Sequence, residues 1–373
     1  MGTIHGEAVF PRPLPRLPSW IVLKYLGSKR RLVPVLGAIA RAVGARTALD
    51  LFTGTTRVAQ ELKRTGLQVT AVDCATYSKV LADCYVATDA CLVDPAALDD
   101  ALARLAALPG RPGYVTETFC RRSRYFQPPN GARIDAIRDA IEDHAGTPLH
   151  AILLTSLLLA ADRVDSTTGL QMAYLKQWAP RSFRDLKLRR PELLPGTGTA
   201  LLADASQVAD TLPAVDLAYL DPPYNQHRYF TNYHVWETLV RWDSPAHYGI
   251  ACKRVDAREE VGRSVFNRKR EMPAALASLL GRVRAEVVVV SYNDEAWVSA
   301  EQITGWLRGA GHEAVEVLAF DARRYVGAQI GVFNPAGERV GETGRLRNTE
   351  YVFVAGPRDK VAAAAQGARV DSR

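Results

Sequence analysis

Five cysteines in 373 residues, none of them spaced Cys-x-x-Cys, leave no basis for a disulfide framework or a zinc ribbon. Cys74, Cys84, Cys91, Cys120 and Cys252 read instead as the reduced thiols of a cytosolic protein. No stretch approaches the roughly 18 consecutive apolar residues of a membrane span, and the amino terminus has no apolar signal region. The seven histidines are scattered, so no metal site is expected. A three-glycine dinucleotide fingerprint and a Walker lysine are both missing, which disfavours a nicotinamide or phosphate-tailed ligand. The composition itself, 47% hydrophobic and 23% charged, is that of a soluble globular protein. The length suits one large α/β domain with an insertion, or two domains.

The most informative stretch is Asp221-Pro222-Pro223-Tyr224, at the end of the apolar run Val215 to Leu220. Proline has no amide hydrogen and cannot continue a central ladder, so a buried strand stops here abruptly. The break leaves a carboxylate, fixed carbonyls and an aromatic ring at the strand's carboxyl end, where open α/β sheets bind ligands. These groups suit an exocyclic amino group on a flat heteroaromatic ring. Asp221 and the Pro222 carbonyl can accept its two hydrogens, while Tyr224 stacks on the ring face. A plain strand followed by a proline turn would look the same.

A second segment narrows the choice. Thr47 to Val58, with Gly54 inside it, is a strand leading through a turn into a helix, and the next strand, Leu67 to Asp73, ends in an acid. The glycine lets backbone approach a ligand, and an acid about 20 residues on can bind ribose hydroxyls. A ligand with adenosine but no phosphate fits, and S-adenosylmethionine is the obvious one.

Together with Lys24 to Leu32, an aromatic and small residues before a lysine that opens a helix, these segments resemble the Dam-type DNA adenine methylases over most of the chain. The motifs stand in that family's order. The resemblance implies that Tyr25 and Lys29 meet the methionine end of the cofactor, lysine near its carboxylate. It further implies that Asp50, Phe52 and Gly54 frame the cofactor turn, that Asp73 holds the ribose and that Asp204 meets the adenine amino group. Asp221, Pro222, Pro223 and Tyr224 form the catalytic tetrapeptide, with Asp221 also bordering the cofactor. Ser291 to Asp294 resembles a further motif at the edge of the active site. One departure stands out: the family usually has a second glycine where this chain has Thr56.

Seven strands are predicted, near Thr47–Phe52, Gln68–Asp73, Ala200–Ala203, Leu217–Leu220, Glu286–Tyr292, Ala314–Phe320 and Glu350–Ala355. Helical stretches fall at Arg30–Val43, Arg57–Arg64, Ser78–Ala87, Ala274–Val283 and Trp297–Gly309. Their alternation predicts a parallel sheet closed by one antiparallel hairpin, the seven-stranded Rossmann-like methyltransferase fold that the resemblance also implies. Residues 21–90 and 196–356 would form this catalytic domain. Residues 91–195 are too long for a loop and carry helical patterns at Pro95–Ala107, Ala132–Asp143 and Leu149–Ala161. They read as an inserted target-recognition domain. Residues 1–20 are an extended arm, either disordered or laid along a nucleic acid, and 357–373 a charged, alanine-rich tail.

The net charge of +7, from 47 basic and 40 acidic residues, is modest, but its distribution is uneven. Arg121, Arg122, Arg124 and Arg133 form one cluster; Arg181, Arg184, Lys187, Arg189 and Arg190 form another. A third includes Lys253, Arg254, Arg258, Arg263, Arg268, Lys269 and Arg270. Clusters outside the strands favour a polyanion, and Arg323 and Arg324 are further phosphate-contact candidates. The expected protein is a cytoplasmic, nucleoid-associated, S-adenosylmethionine-dependent adenine N6-methyltransferase acting on double-stranded DNA, with a restriction or defence system as a candidate partner. Cytosine N4, RNA adenine, or a nucleic-acid-binding regulator that has lost catalysis remain as alternatives.

Overall fold

A computed structural model describes residues 8–10, 23–25, 29–223, 229–258, 264–323, 332–333, 339–341 and 347–371. The chain opens with a short strand β1 (Ala8–Phe10), helix α1 (Val33–Ala42) and strand β2 (Thr47–Leu51). Then come α2 (Arg57–Arg64), β3 (Gln68–Asp73) and α3 (Thr76–Ala82), which runs into a π-helical turn, Asp83–Ala87. The inserted region supplies α4 (Pro95–Ala107), α5 (Pro128–Ile141) and α6 (Pro148–Val164). The chain returns to the sheet with β4 (Thr199–Leu202), α7 (Ala205–Val208) and β5 (Val215–Leu220). Helices α8 (Tyr229–Asn232) and α9 (His234–Arg241) and a small ladder of β6 (His247–Tyr248) with β7 (Lys253–Arg254) follow. The last part holds α10 (Met272–Arg282), β8 (Ala285–Asn293), α11 (Ala300–Gly309), β9 (Ala314–Arg323), β10 (Val332–Phe333), β11 (Arg339–Gly341), β12 (Arg347–Gly356) and α12 (Arg358–Asp371).

The main sheet has the order β1-β9-β12-β8-β5-β2-β3-β4. Strand β12 runs antiparallel to both its neighbours, β9 and β8, and the other pairs are parallel. The seven expected strands are all present, with the expected closing hairpin. This is the doubly wound, Rossmann-like order of the S-adenosylmethionine-dependent methyltransferases. From β2 the chain builds outward through β3 and β4, then crosses back to place β5 on the other side of β2. The carboxyl ends of β2 and β5 therefore flank the topological switch point, the position at which such sheets bind ligands.

Alternation along each strand feeds two cores. Leu217 and Tyr219 face α1, α2 and α12, while Ala218 and Leu220 face α10 and α11. Helix α12 occupies the segment expected as a tail. Its Val361, Ala364, Ala365 and Ala368 are buried against α1, so the small side chains there are a packing face. Strand β1 pairs in parallel with the outer strand β9, where an extended arm was expected.

The inserted helices do not close a core of their own. Leu98, Phe119, Ile137, Leu153 and Leu157 lie in one apolar cluster with Tyr77, Leu81 and Tyr85 before the insertion and Tyr233, Trp236 and Leu239 of α8–α9 after it. The insertion is thus mainly helical, as expected, but it is packed as a third layer over α3. Among the described residues no helix is long and apolar enough to cross a membrane.

Lys63 anchors the point at which the chain leaves for the insertion. Its buried ammonium donates to the carbonyls of Tyr85 (3.3 Å), Val86 (2.9 Å) and Thr88 (2.6 Å). Replacing it by Met leaves those carbonyls without their donor. Lys63→Met should therefore lower stability by about 2–3 kcal/mol, the cost of stranding buried acceptors of a charged donor. Urea unfolding of the variant checks this, and an unchanged midpoint would contradict the anchoring role.

Candidate active site

Strand β5 ends at Leu220, and Asp221 follows at the floor of a cleft where 21% of its side chain still meets solvent. Burial pushes its carboxyl pKa up, Lys29 draws it back down and Glu350 pushes it up again. The Lys29 ammonium stands 3.2 Å from Asp221 Oδ1 and 3.1 Å from Glu350 Oε2. Ser291 Oγ donates to the same Asp221 Oδ1 at 2.9 Å and lies 2.7 Å from the Tyr219 hydroxyl. The buried Lys29 ammonium offsets part of the pKa rise that burial imposes on Asp221, while the serine fixes the direction of its carboxylate. Pro222 beside it is buried. Tyr224 and Arg324 lie outside the described residues, and Arg323 is described only as the last residue of β9.

The turn after β2 is the second wall. Gly54 has φ +53°, and a Cβ there would come within 3.3 Å of the Tyr25 ring. Gly54 N–H donates to Asp73 Oδ2 at 2.8 Å, and Ala75 N–H donates to Asp73 Oδ1 at 2.9 Å. Burial raises the Asp73 pKa, and hydrogen bonds from the Ala75, Gly54 and Cys74 amides and from Ser78 offset part of that rise. Thr56, standing where the resembling family has glycine, adopts the left-handed conformation at φ +61°. A β-branched residue is strained there. Gln60 Nε2 donates to Thr56 Oγ1 at 2.9 Å and Thr56 Oγ1 donates to the Thr55 carbonyl at 2.7 Å, which hold the turn in the path a glycine would take. Phe52 is also left-handed, at φ +67°, with its ring edge-on to Phe266 at 4.9 Å.

Asp50 lies beneath this turn. Its Oδ2 accepts from Thr53 Oγ1 (2.8 Å) and Ala59 N–H (3.1 Å), and its Oδ1 is buried without a partner among the described residues. Burial raises its pKa to about 8, with Asp221 and Asp73 contributing repulsion. Tyr25 packs against both Tyr233 (4.6 Å) and Tyr229 (5.3 Å), and its hydroxyl lies 3.3 Å from that of Tyr77. Tyr233 is fully buried in this stack and so belongs to the core. Asp204 is the N-cap of α7, its Oδ1 accepting from Ser206 N–H at 2.8 Å and Ser206 Oγ at 2.6 Å.

Lys29, Asp50, Gly54, Asp73 and Asp221, spread over nearly two hundred positions, thus meet around the switch point. Glu350 escaped sequence reasoning because it sits inside β12, where an acid reads as a solvent-facing position. Ser291 was visible only as part of a motif. The basic residues separate into two kinds. Arg254 is buried and clamped by Asp243 (2.6 Å) and Asp256 (2.7 Å), Arg181 pairs with buried Asp165 (2.8 Å), and Arg121 is paired with Glu117. Arg122 and Arg184 are exposed, and Arg124 lies 4.8 Å over the Trp178 ring.

Asp50 has a thermodynamic signature. Its folded pKa of about 8 lies above the unfolded value of 3.8, so the folded state holds a proton that the unfolded state has lost between those limits. The stabilisation is complete below about pH 4 and is lost as pH rises through about 8. Asp50→Asn mimics the protonated acid and should flatten that decline. Urea unfolding of both proteins from pH 5 to 9 tests it; parallel curves would mean that Asp50 is ionised in the fold.

Comparison with known proteins agrees with this geometry. The chain is 29% identical over 297 residues to the type II methyltransferase M.NlaIII of Neisseria lactamica, covering 75% of this chain and 86% of that one. It is 28% identical over 308 residues to the modification methylase StsI of Streptococcus sanguinis, covering 77% of this chain and 46% of the relative. Over 223 residues it is 32% identical to the type II methyltransferase M.CviAII of Paramecium bursaria Chlorella virus 1, covering 57% of this chain and 64% of the relative. A solved precorrin-6y C5,15-methyltransferase of Geobacter metallireducens spans 92% of this chain and 94% of its own at 11% identity, but with a TM-score of 0.29 the fold is better read from strand order. The model of the D12 class N6 adenine-specific DNA methyltransferases matches residues 25–301, and the chain belongs to that family.

Proposed function

We propose that the protein transfers a methyl group from S-adenosylmethionine to the N6 amino group of an adenine held out of the DNA helix within a specific site. The observation that carries this reading is Asp221, paired with Lys29 and held in direction by Ser291 at the carboxyl end of β5. An adenine amino nitrogen is a weak nucleophile because its lone pair is delocalised into the ring. Asp221 and the Pro222 carbonyl accept its two hydrogens, which favours a pyramidal nitrogen with its lone pair directed out of the ring plane. This is preorganised electrostatics with positioning, and the proton leaves only after transfer. Tyr224 is assigned the stacking role against the extruded base.

The cofactor supplies an electrophilic methyl group on a sulfonium centre. Its fit is supported by the chain's own residues. The acids Asp73 and Asp221 suit a cationic ligand, the unpartnered Asp50 Oδ1 is a spare acceptor beneath them, and Gly54 leaves room beside Tyr25. Asp73 would accept from the ribose hydroxyls and Asp204 from the adenine amino group, through the oxygen that does not cap α7. Lys29, engaged with Asp221 and Glu350, is assigned to charge balance at the catalytic acid as well as to the cofactor's carboxylate. The arginines Arg121, Arg122, Arg124, Arg184, Arg323 and Arg324 are the proposed DNA contacts, with Arg181 held back by Asp165, and the inserted helices are the proposed reader of sequence. The type II relatives support a role beside a cognate restriction nuclease.

Single-turnover methyl transfer to DNA, with the product nucleoside identified by mass spectrometry, tests the reading. Asp221→Ala should slow transfer by at least about 10²-fold, with S-adenosylhomocysteine binding retained. N4-methylcytosine as product, or a fully active Asp221→Ala enzyme, would overturn it.

A further inference from the structure

A cleft of about 650 Å³ opens between α6 and the loop that returns to β4. Six Lys or Arg residues and two Asp residues line it. Two of the cations, Lys24 and Arg181, are met by buried Asp165. Of the two acids, Asp162 is met by Lys24, 3.6 Å away. Of the other four cations, Arg163 also feels Asp162, and Arg184, Lys187 and Arg189 share the wall with the remaining acid, Asp185. Arg163 and Arg189 are close enough to repel, and that repulsion adds to burial in depressing the Arg163 pKa. Cations crowded in a concave site with too few acids focus a field that draws an anion.

The loop is held rigidly from behind. Asn130 Nδ2 donates to the carbonyls of Ser182 (3.2 Å) and Arg184 (2.8 Å), and Asn130 Oδ1 accepts from Leu186 N–H (3.0 Å). Ser156 Oγ donates to the Arg189 carbonyl at 2.7 Å and accepts from Arg189 N–H at 3.1 Å. Ser182 and Leu186 are buried, so Phe183, Arg184, Lys187 and Arg189 are turned outward on a fixed backbone. Such a loop loses little freedom on binding. Phe183 is 67% exposed, an aromatic face at the rim of a cationic cleft. Lys24 on the wall is the chain neighbour of Tyr25, which packs against Gly54.

From this arrangement we infer that the cleft is a single-nucleotide subsite for the DNA substrate, separate from the pocket for the target base. Arg184, Lys187 and Arg189 hold the phosphate, and Phe183 stacks on the base. The volume suits one nucleotide, and an aromatic platform beside cations is how unpaired strands are held. The inference rests on the DNA reading above and adds a second grip on that substrate.

The test uses the full-length protein with three exposed residues changed together, Arg184→Ala, Lys187→Ala and Arg189→Ala. DNA affinity should fall at low salt, and the slope of log affinity against log salt should drop by about one, the share of one phosphate. S-adenosylhomocysteine affinity should be unchanged. Phe183→Ala should weaken DNA binding about tenfold and Phe183→Trp should restore it. Calorimetry with inorganic phosphate and with AMP forms the second arm. If the triple variant keeps the wild-type affinity and salt slope while the wild type methylates DNA, this subsite is wrong and the methyltransferase reading stands. If AMP binds the wild type but not the triple variant and DNA affinity does not change, the cleft takes a free nucleotide and the DNA assignment is overturned. A wild type that methylates no DNA would instead count against the function on which the inference rests.

Discussion

The Lys29 ammonium, buried between Asp221 and Glu350, is the contact on which the site depends. It ties together three segments remote in sequence: the stretch leading into α1, the end of β5 and the middle of β12. A buried ammonium is costly to desolvate, and two carboxylates offset that cost only when the geometry is good. Two carboxylates face one ammonium here and Asp73 stands close by, while Asp50 keeps its proton. The site therefore has one carboxylate, Asp221, held in a defined direction, and more acids than bases around it. Both follow from where the strands end, since the switch point gathers strand termini whose side chains have no ladder to join.

Much of this was legible in the sequence because the relevant signals are local. The apolar runs of β2, β3 and β5 and their terminal acids stand next to one another along the chain, and the prolines after Asp221 mark the strand end without ambiguity. Thr56 illustrates where local reading stops. As a residue type it argues against a left-handed turn, and its conformation depends on Gln60 and on the surrounding backbone. Glu350 was invisible for a related reason. Its importance arises from the pairing of β12 with β8, which brings Glu350 opposite Asn293, two residues beyond Ser291. The helix expected over Ser78–Ala87 exists as α3 and a π-turn, and the Lys63 ammonium takes up the carbonyls left over at its end, those of Tyr85, Val86 and Thr88.

Charge was legible as density and not as availability. Three basic clusters could be seen in the sequence, yet Arg254 proves to be a buried clamp for two aspartates, and Arg181 an internal partner of Asp165. Only packing separates such residues from Arg184, Lys187 and Arg189, which face outward from a loop fixed by Asn130 and Ser156. The arginines that shape the fold and those that meet solvent alternate along the same few positions.

The shared apolar cluster of the inserted helices has a consequence for how such a protein can diversify. Phe119, Ile137 and Leu157 pack in one cluster with Tyr77 of α3 and Trp236 of α9, so the insertion cannot be lifted out and exchanged as a cassette between relatives. A graft would expose one half of a core and leave the other unfilled. Heritable changes in what the insertion contacts must come by substitution at its exposed positions. Those that reach inward will be felt at the Tyr25 stack beside the cofactor turn.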